Sequence, residues 1–403
     1  MKKIFIIIII FNFNNNINSY DTDLSLMGYI KASDGIGQII PNILTSLKND
    51  LKIKFIPTKQ TSLDNLSKEV LGFAKNPGSL GNDKFILHTW LSHLNAVKKT
   101  PNKINVAYIM CETTQFPKQT AQIINKNFDA IAVPDIFLLN IFKNSGVRIP
   151  IFVLPLIVNL QKFLEVPIKK HPNKIFTFGC TAAFWERKNH LLLIKAFNQE
   201  FGNNPNVKLK LHGRFGEMYN TLKEFIQNKN IINVEINEQL LSQEHYIETL
   251  KSFDCFVLVS KGEGFSIPPR EALALGIPCI ISNNTSHTTI CNSGFAKAVK
   301  ANKITSAKNG LQSSQIGFNF DCNLNDVKIA LREVYNNYSA YLKKSCNGKQ
   351  WTMQYLPENL RLKYLNLIKP KKVILGSKNI ITNEYLMTNS KNLFIKYLNI
   401  FKI

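Results

Sequence analysis

Paired cysteines, metal-ligand spacings and nucleophile motifs are what this 403-residue chain lacks. Its seven Cys (111, 180, 255, 279, 291, 322 and 346) are odd in number, scattered and set mostly in apolar runs, with no Cys-x-x-Cys pair. That excludes a disulfide framework and a cysteine zinc site, and it reads as buried free thiols in a reducing compartment. No Walker loop, His-Glu-x-x-His or Gly-x-Ser-x-Gly is present, which leaves P-loop, zincin and nucleophile-elbow chemistry without a motif. Acidic residues are also scarce, 27 against 50 Lys and Arg, for a net charge of +23. Such an excess fits nucleic acid, an anionic membrane surface or a phosphorylated substrate. No aromatic-basic interleaving or groove-reading motif supports nucleic acid, and Lys, Asn and Ile are abundant along the whole chain, so most of the charge is compositional.

The length suggests two domains of ordinary size, and 45% hydrophobic with 10% aromatic residues is a globular composition. Met1 to Phe11 has a basic start and a short apolar run, the outline of a signal peptide too short to span a bilayer; Asn14 to Ser19 lacks a small-x-small cleavage pattern. Strand candidates then recur at 24–30, 52–56, 85–88, 104–110, 130–133 and 151–154. Helical stretches lie between them at 39–47, 119–127 and 137–143. This alternation predicts a doubly wound sheet. Pro167 to Asn173 is polar and Pro-bounded and marks a linker, after which strands at 175–179, 207–211 and 232–236 open a second domain.

Ser260-Lys-Gly-Glu-Gly-Phe-Ser-Ile-Pro-Pro-Arg-Glu-Ala-Leu-Ala-Leu-Gly-Ile-Pro-Cys-Ile-Ile-Ser282 reads as strand end, exposed turn, helix and strand. Ligands of open α/β sheets bind at such carboxyl ends. Glu263 and Glu271 flank one helix N-terminus, which offers N–H groups to phosphate while carboxylates accept from sugar hydroxyls. Upstream, Arg187 and Lys188 stand at the start of the helix 190–197, placed to clamp a diphosphate. Gly35 and Gly37 sit in the loop after the first strand, where backbone can approach a ligand.

Glu263, seven intervening residues, Glu271 and Ala-Leu-Ala-Leu-Gly-Ile-Pro resemble the signature of the retaining GT-B glycosyltransferases of family four. The resemblance covers roughly residues 24–335 and is densest from Phe178 to Ser282. It implies an α/β GT-B fold of two Rossmann-like doubly wound domains facing a cleft. The implied organisation is a leader at 1–19, an acceptor-side domain at 24–166, a linker at 167–173, a nucleotide-sugar domain at 174–335, and C-terminal helices with a basic tail at 336–403.

The implied reaction moves a hexosyl unit from a nucleotide-diphosphate sugar to a glycan or lipid-linked acceptor, with retention and with neither cofactor nor metal. Glu263, Lys188 and Arg187 would be catalytic, and Gly35, Gly37, Gly264, Phe265, Ser266 and Glu271 would bind the donor. His88 and Glu112 are acceptor-side candidates, with a core histidine and a helix cap as equal alternatives. Cys180 stands where the resemblance implies an arginine, which keeps a noncatalytic sugar-binding or nucleotide-binding protein of the same fold open as an alternative. A cytoplasmic enzyme is implied, although the leader leaves export open. Residues 335–403 carry twelve Lys and Arg against two Glu. In 369–403 these mix with apolar residues, which suits either an anionic membrane surface or a tail packed on the first domain.

Overall fold

The computed structural model describes residues 21–32, 34–58, 61–89, 95–99, 102–309, 312–370 and 387–388. The leader at 1–19 and most of the basic tail lie outside them. The first half runs β1 (Leu24–Gly28), α1 (Ile39–Leu47), β2 (Ile53–Pro57), α2 (Lys68–Lys75), β3 (Phe85–His88), β4 (Ile104–Tyr108), α3 (Lys118–Asn127), β5 (Ala130–Val133), α4 (Ile136–Asn144), β6 (Ile151–Val153) and α5 (Gln161–Leu164). The second runs β7 (Phe176–Thr181), α6 (His190–Phe201), β8 (Val207–Gly213), α7 (Tyr219–Asn228), β9 (Val234–Glu238), α8 (Gln243–Lys251), β10 (Cys255–Leu258), α9 (Ile267–Ala274), β11 (Cys279–Asn283) and α10 (His287–Asn292). The long strands β12 (Ala296–Asn309) and β13 (Gln312–Cys322) follow, then α11 (Leu324–Asn336), α12 (Tyr338–Thr352), α13 (Pro357–Ile368) and a two-residue β14 (Met387–Thr388).

Strands β3, β4, β5, β7 and β10 are buried at every position, as parallel strands covered by helices on both faces must be. Helices α2, α4 and α8 begin where a short polar side chain offers an acceptor: Ser67 receives Val70 N–H at 3.3 Å, Asp135 receives Phe137 N–H at 3.2 Å, and Ser242 receives His245 N–H at 3.3 Å. Two sheets result, ordered β14-β6-β5-β4-β3-β1-β2 and β13-β12-β11-β10-β7-β8-β9. All pairs are parallel except β14 with β6 and β12 with β13. Strand order reverses between β1 and β3 in the first sheet and between β7 and β10 in the second. Those are the crevices where doubly wound sheets take ligands.

The structure departs from the sequence reading in the region after β11. No strand pairing is read there, whereas β12 and β13 form a long antiparallel hairpin whose base pairs with β11. The hairpin reaches the first domain, where Thr114 N–H donates to Phe318 O at 3.1 Å and Phe318 N–H donates to Thr114 Oγ1 at 2.9 Å.

The chain crosses between domains twice. After the first crossing, Lys169 Nζ and Asn173 N–H bind the buried Asp254 at 2.9 and 3.0 Å, fixing segment 167–173 to the second domain. The second crossing follows α12, which packs on α9, and returns α13 to the first domain. There Tyr364 donates to Pro155 O at 2.9 Å and Arg361 Nε donates to Asp50 at 2.6 Å. The crossings lie side by side, with Val158 N–H donating to Tyr355 O at 2.9 Å. Of the basic tail, Lys369 pairs with Asp23 at 2.8 Å and β14 adds an antiparallel edge to the first sheet. Among the described residues no helix is long and apolar enough to cross a membrane.

Candidate active site in the interdomain cleft

At the second sheet's reversal point the carboxyl ends of β7 and β10 present two loops to each other. A 3-10 turn at Glu186–Lys188 follows β7 and ends on Asn189, held left-handed at φ +62° by bonds from its amide to Val259 O at 3.2 Å and to Asp321 at 2.7 Å. This pinning aims Arg187 and Lys188 at the β10 loop. Lys188 Nζ lies 2.6 Å from Glu263 Oε1, and Arg187 Nη1 lies 3.2 Å from the same oxygen. Arg187 also donates to the Gly262 carbonyl and approaches Glu112 of the first domain at 3.4 Å.

The turn 262–264 is expected to be exposed, and the structure corrects this: Gly262, Glu263, Gly264 and Phe265 are all buried, Glu263 at 4% exposure. The cover comes from the first domain. A Cβ on Gly262 would fall 2.0 Å from the Glu112 carbonyl, and one on Gly264 about 3 Å from Met110. Only residues without side chains permit the two domains to meet so closely.

Burial opposes the negative charge of Glu263, but Lys188 and Arg187 outweigh it and hold the carboxylate well below its ordinary range. Burial lowers the pKa of Lys188, and repulsion from Arg187 adds to it, although Glu263 pulls it up. The opposite needs of the two partners follow from two cations sharing one carboxylate. Arg187, likewise opposed by burial, is kept charged by Glu263 and Glu112.

The head of α9 is built by buried polar groups. Ser266 is left-handed at φ +66° and packs its hydroxyl on His287 Nε2 at 2.7 Å. His287 Nδ1 faces the Ser282 carbonyl at 3.2 Å, which can only accept; the proton therefore sits on Nδ1, and Ser266 donates to Nε2. Burial pushes His287 down to about 4, so it is the neutral imidazole. Arg270, fully buried, stacks 3.9 Å from the Phe265 ring centroid and 4.7 Å from that of Tyr355, and donates to the carbonyls of Phe265 and Ser266. Its counter-charge is Asp135 of the first domain at 3.8 Å, itself bonded by Thr289 at 3.0 Å. Glu271, one residue on, accepts from Tyr246 at 2.7 Å, and burial raises it to about 7 against that bond.

The cleft therefore brings together Glu263, Lys188, Arg187, Glu112 and Gly264, with Phe265, Ser266 and Glu271 on the loop and helix beside them. Gly35 joins them, since a Cβ there would lie 3.5 Å from Ile267 at the head of α9. Gly37 serves its own loop, where a Cβ would fall 2.7 Å from the Lys31 carbonyl oxygen. His88 is not brought to the cleft: it is 5% exposed, meets Asn105 at 3.1 Å and stands edge-on to Phe128, the surroundings of a core histidine. Cys180 is also a core residue, 1% exposed and 3.8 Å from His190. Sequence reasoning missed Tyr246, His287, Arg270 and Arg214. Of these only Arg214, between Gly213 and Gly216 at a strand end, carried a positional signal.

Residues 162–313 match the family model described as glycosyl transferases group 1. The chain is 34% identical over 126 residues to an uncharacterized glycosyltransferase of Methanocaldococcus jannaschii, covering 30% of each. It is 31% identical over 173 residues to the UDP-Gal:alpha-D-GlcNAc-diphosphoundecaprenol alpha-1,3-galactosyltransferase of Escherichia coli, covering 40% of this chain and 44% of that protein. The matches thus span less than half the length of these curated relatives. Among solved structures, Anabaena HepE in complex with UDP-glucose superposes with a TM-score of 0.61 at 11% identity, covering 84% of this chain and 97% of that one. The architecture is accordingly the GT-B fold, and the segment that carries both candidate cations and both motif glutamates is the one that matches glycosyl transferases group 1.

Proposed function

We propose that the chain is a retaining hexosyltransferase that takes its sugar from a nucleoside diphosphate donor and passes it to a glycan or lipid-linked acceptor. The observation that carries this reading is the Lys188–Glu263–Arg187 cluster at the reversal point of the second sheet, closed over by Glu112. A departing nucleoside diphosphate gathers negative charge, and preorganised cations in a water-poor cleft stabilise it without reorganising. In this reading Glu263 orients the sugar hydroxyls and holds the two cations in place, Glu271 accepts from the ribose, and Gly35, Gly264, Phe265 and Ser266 supply backbone and wall. Glu112 faces the acceptor side. The UDP-sugar of the Escherichia coli relative and the UDP-glucose seen with HepE support a nucleotide sugar as the ligand class.

Thermal-shift screening of the full chain against UDP- and GDP-hexoses tests the reading, because a ligand at about 100 times its Kd stabilises by about 2.7 kcal/mol. A rise in Tm with one donor class, followed by release of its nucleoside diphosphate, is expected. Binding without any transfer or hydrolysis would move the chain to the noncatalytic alternative that Cys180 keeps open. No shift with any donor would sink the reading.

A further inference from the structure

Two of the cations in the cleft are already spoken for. Lys188 and Arg187 share Glu263 at 2.6 and 3.2 Å, and Arg187 also meets Glu112 at 3.4 Å, so two positive groups face two carboxylates. A diphosphate carries several negative charges, and a cluster that is neutral in sum attracts it weakly.

Arg214 differs. It follows Gly213 at the carboxyl end of β8, the strand next to β7, where the register pairs Thr181 with His212. The turn after it is fastened to the segment leading to Arg187: Ala182 N–H donates to His212 O at 3.0 Å and Phe184 N–H donates to Phe215 O at 2.8 Å. A Cβ on Gly216 would meet Phe184 backbone at 2.4 Å, so the turn is held close against that segment. The guanidinium rests 5.1 Å from the Phe215 ring centroid. It lies within electrostatic reach of Asp34, Tyr246 and Tyr29. Asp34 shapes the Gly35–Gly37 loop by accepting Ile36 N–H at 2.9 Å and Gly37 N–H at 3.4 Å, while Tyr246 holds Glu271. Arg214 thus stands between the glycine loop of one domain and the Glu271 wall of the other. Its Nη1 is buried and bonds to nothing among the described residues.

A buried guanidinium N–H without an acceptor costs free energy that a bound anion would recover. We propose that Arg214 is a further diphosphate-binding cation of this cleft, offering its unpaired Nη1 to the phosphate oxygens of a nucleoside diphosphate. The inference rests on the donor reading above. It adds the β8 turn to the cations that Lys188 and Arg187, partly neutralised by Glu263 and Glu112, bring to the diphosphate.

The test is a titration of the full chain and of R214Q with UDP, GDP, uridine and guanosine by calorimetry. Arg214 is only partly buried, so R214Q should fold, and its unchanged nucleoside affinity serves as the control for folding. The expected result is that R214Q loses at least about tenfold in affinity for the preferred diphosphate while its nucleoside affinity stays within about twofold. R214Q binding the diphosphate as tightly as wild type overturns the inference and leaves Arg214 as a partner of Asp34 alone. Equal losses for diphosphate and nucleoside overturn it as well, since the role would then be general to the cleft. A wild-type chain that binds neither diphosphate removes the donor reading, and this inference with it.

Discussion

Glu263 is the residue on which two requirements meet, because the carboxylate assigned to the donor sugar is also the counter-charge of two half-buried cations. Glu263→Gln should lower transfer at least about a hundredfold, the loss expected when a preorganised charge is removed from a closed site. A steady-state assay giving near-normal turnover would remove its assigned role. Burial adds a stability cost that an exposed turn would not have: Lys188 and Arg187 lose their shared partner, a loss of about 3 kcal/mol readable as a fall in Tm.

The pH dependence follows from the depressed pKa. Glu263 contributes stability that is complete above its unfolded value of 4.5 and is lost as pH falls below it toward the lower folded value. Glu271 has the opposite sign. Its folded value of about 7 lies above the unfolded 4.5, so the chain loses stability as pH rises between the two and a desolvated, half-buried carboxyl must ionise. In melts at pH 5 and pH 8, Glu271→Gln should therefore gain on wild type at the higher pH; equal differences at both pH values would contradict the burial argument.

At the scale of elements, α9 and the loop before it were legible because their signals are local: two carboxylates at fixed spacing, Pro268 and Pro269 at the helix start, and Gly276 at φ +73° just past its end. What covers the loop was not legible, since contact with Met110–Glu112 joins residues some 150 positions apart, and no local pattern encodes it. Arg270 shows the same limit. In sequence it is a basic residue in a helix, and in the fold it is a wholly buried group between two rings, with Asp135 across the domain boundary. Arg270→Met alone should destabilise by about 3 kcal/mol by leaving Asp135 uncompensated, while adding Asp135→Asn should return at least about 1 kcal/mol of it. Urea denaturation of the three variants measures this coupling, and strict additivity would show that the pair does not interact. The hairpin of β12 and β13 was missed for a different reason: the dipeptide Asn309-Gly310 is a strong two-residue turn signal, but the flanking Lys, Ser, Thr and Asn lack the apolar alternation that marks a half-buried strand.

For the whole molecule, the alternation of strands and helices carried the architecture, because short apolar runs separated by helical periods leave a doubly wound sheet as the consistent solution. The C-terminal helices placed at 336–403 bring α13 back to the first domain, where Tyr364 and Tyr108 share a bond at 3.0 Å. The tail beyond Pro370 keeps its two readings, and cosedimentation decides between them. With anionic vesicles at low salt, a membrane role requires the full chain to pellet and a chain ending at 368 to remain in solution. Equal behaviour of the two would assign the basic residues to packing or solvent.

The paired crossings at Val158 and Tyr355 have a mechanical meaning. Bodies joined by one thread can swivel about any axis, whereas two adjacent threads bonded to each other act as a strap hinge and resist twisting. Opening the cleft then becomes a swing about that strap. Such a swing has to break the bonds that tie the domains across the cleft, those of Thr114 with Phe318 and of Glu112 with Arg187 among them.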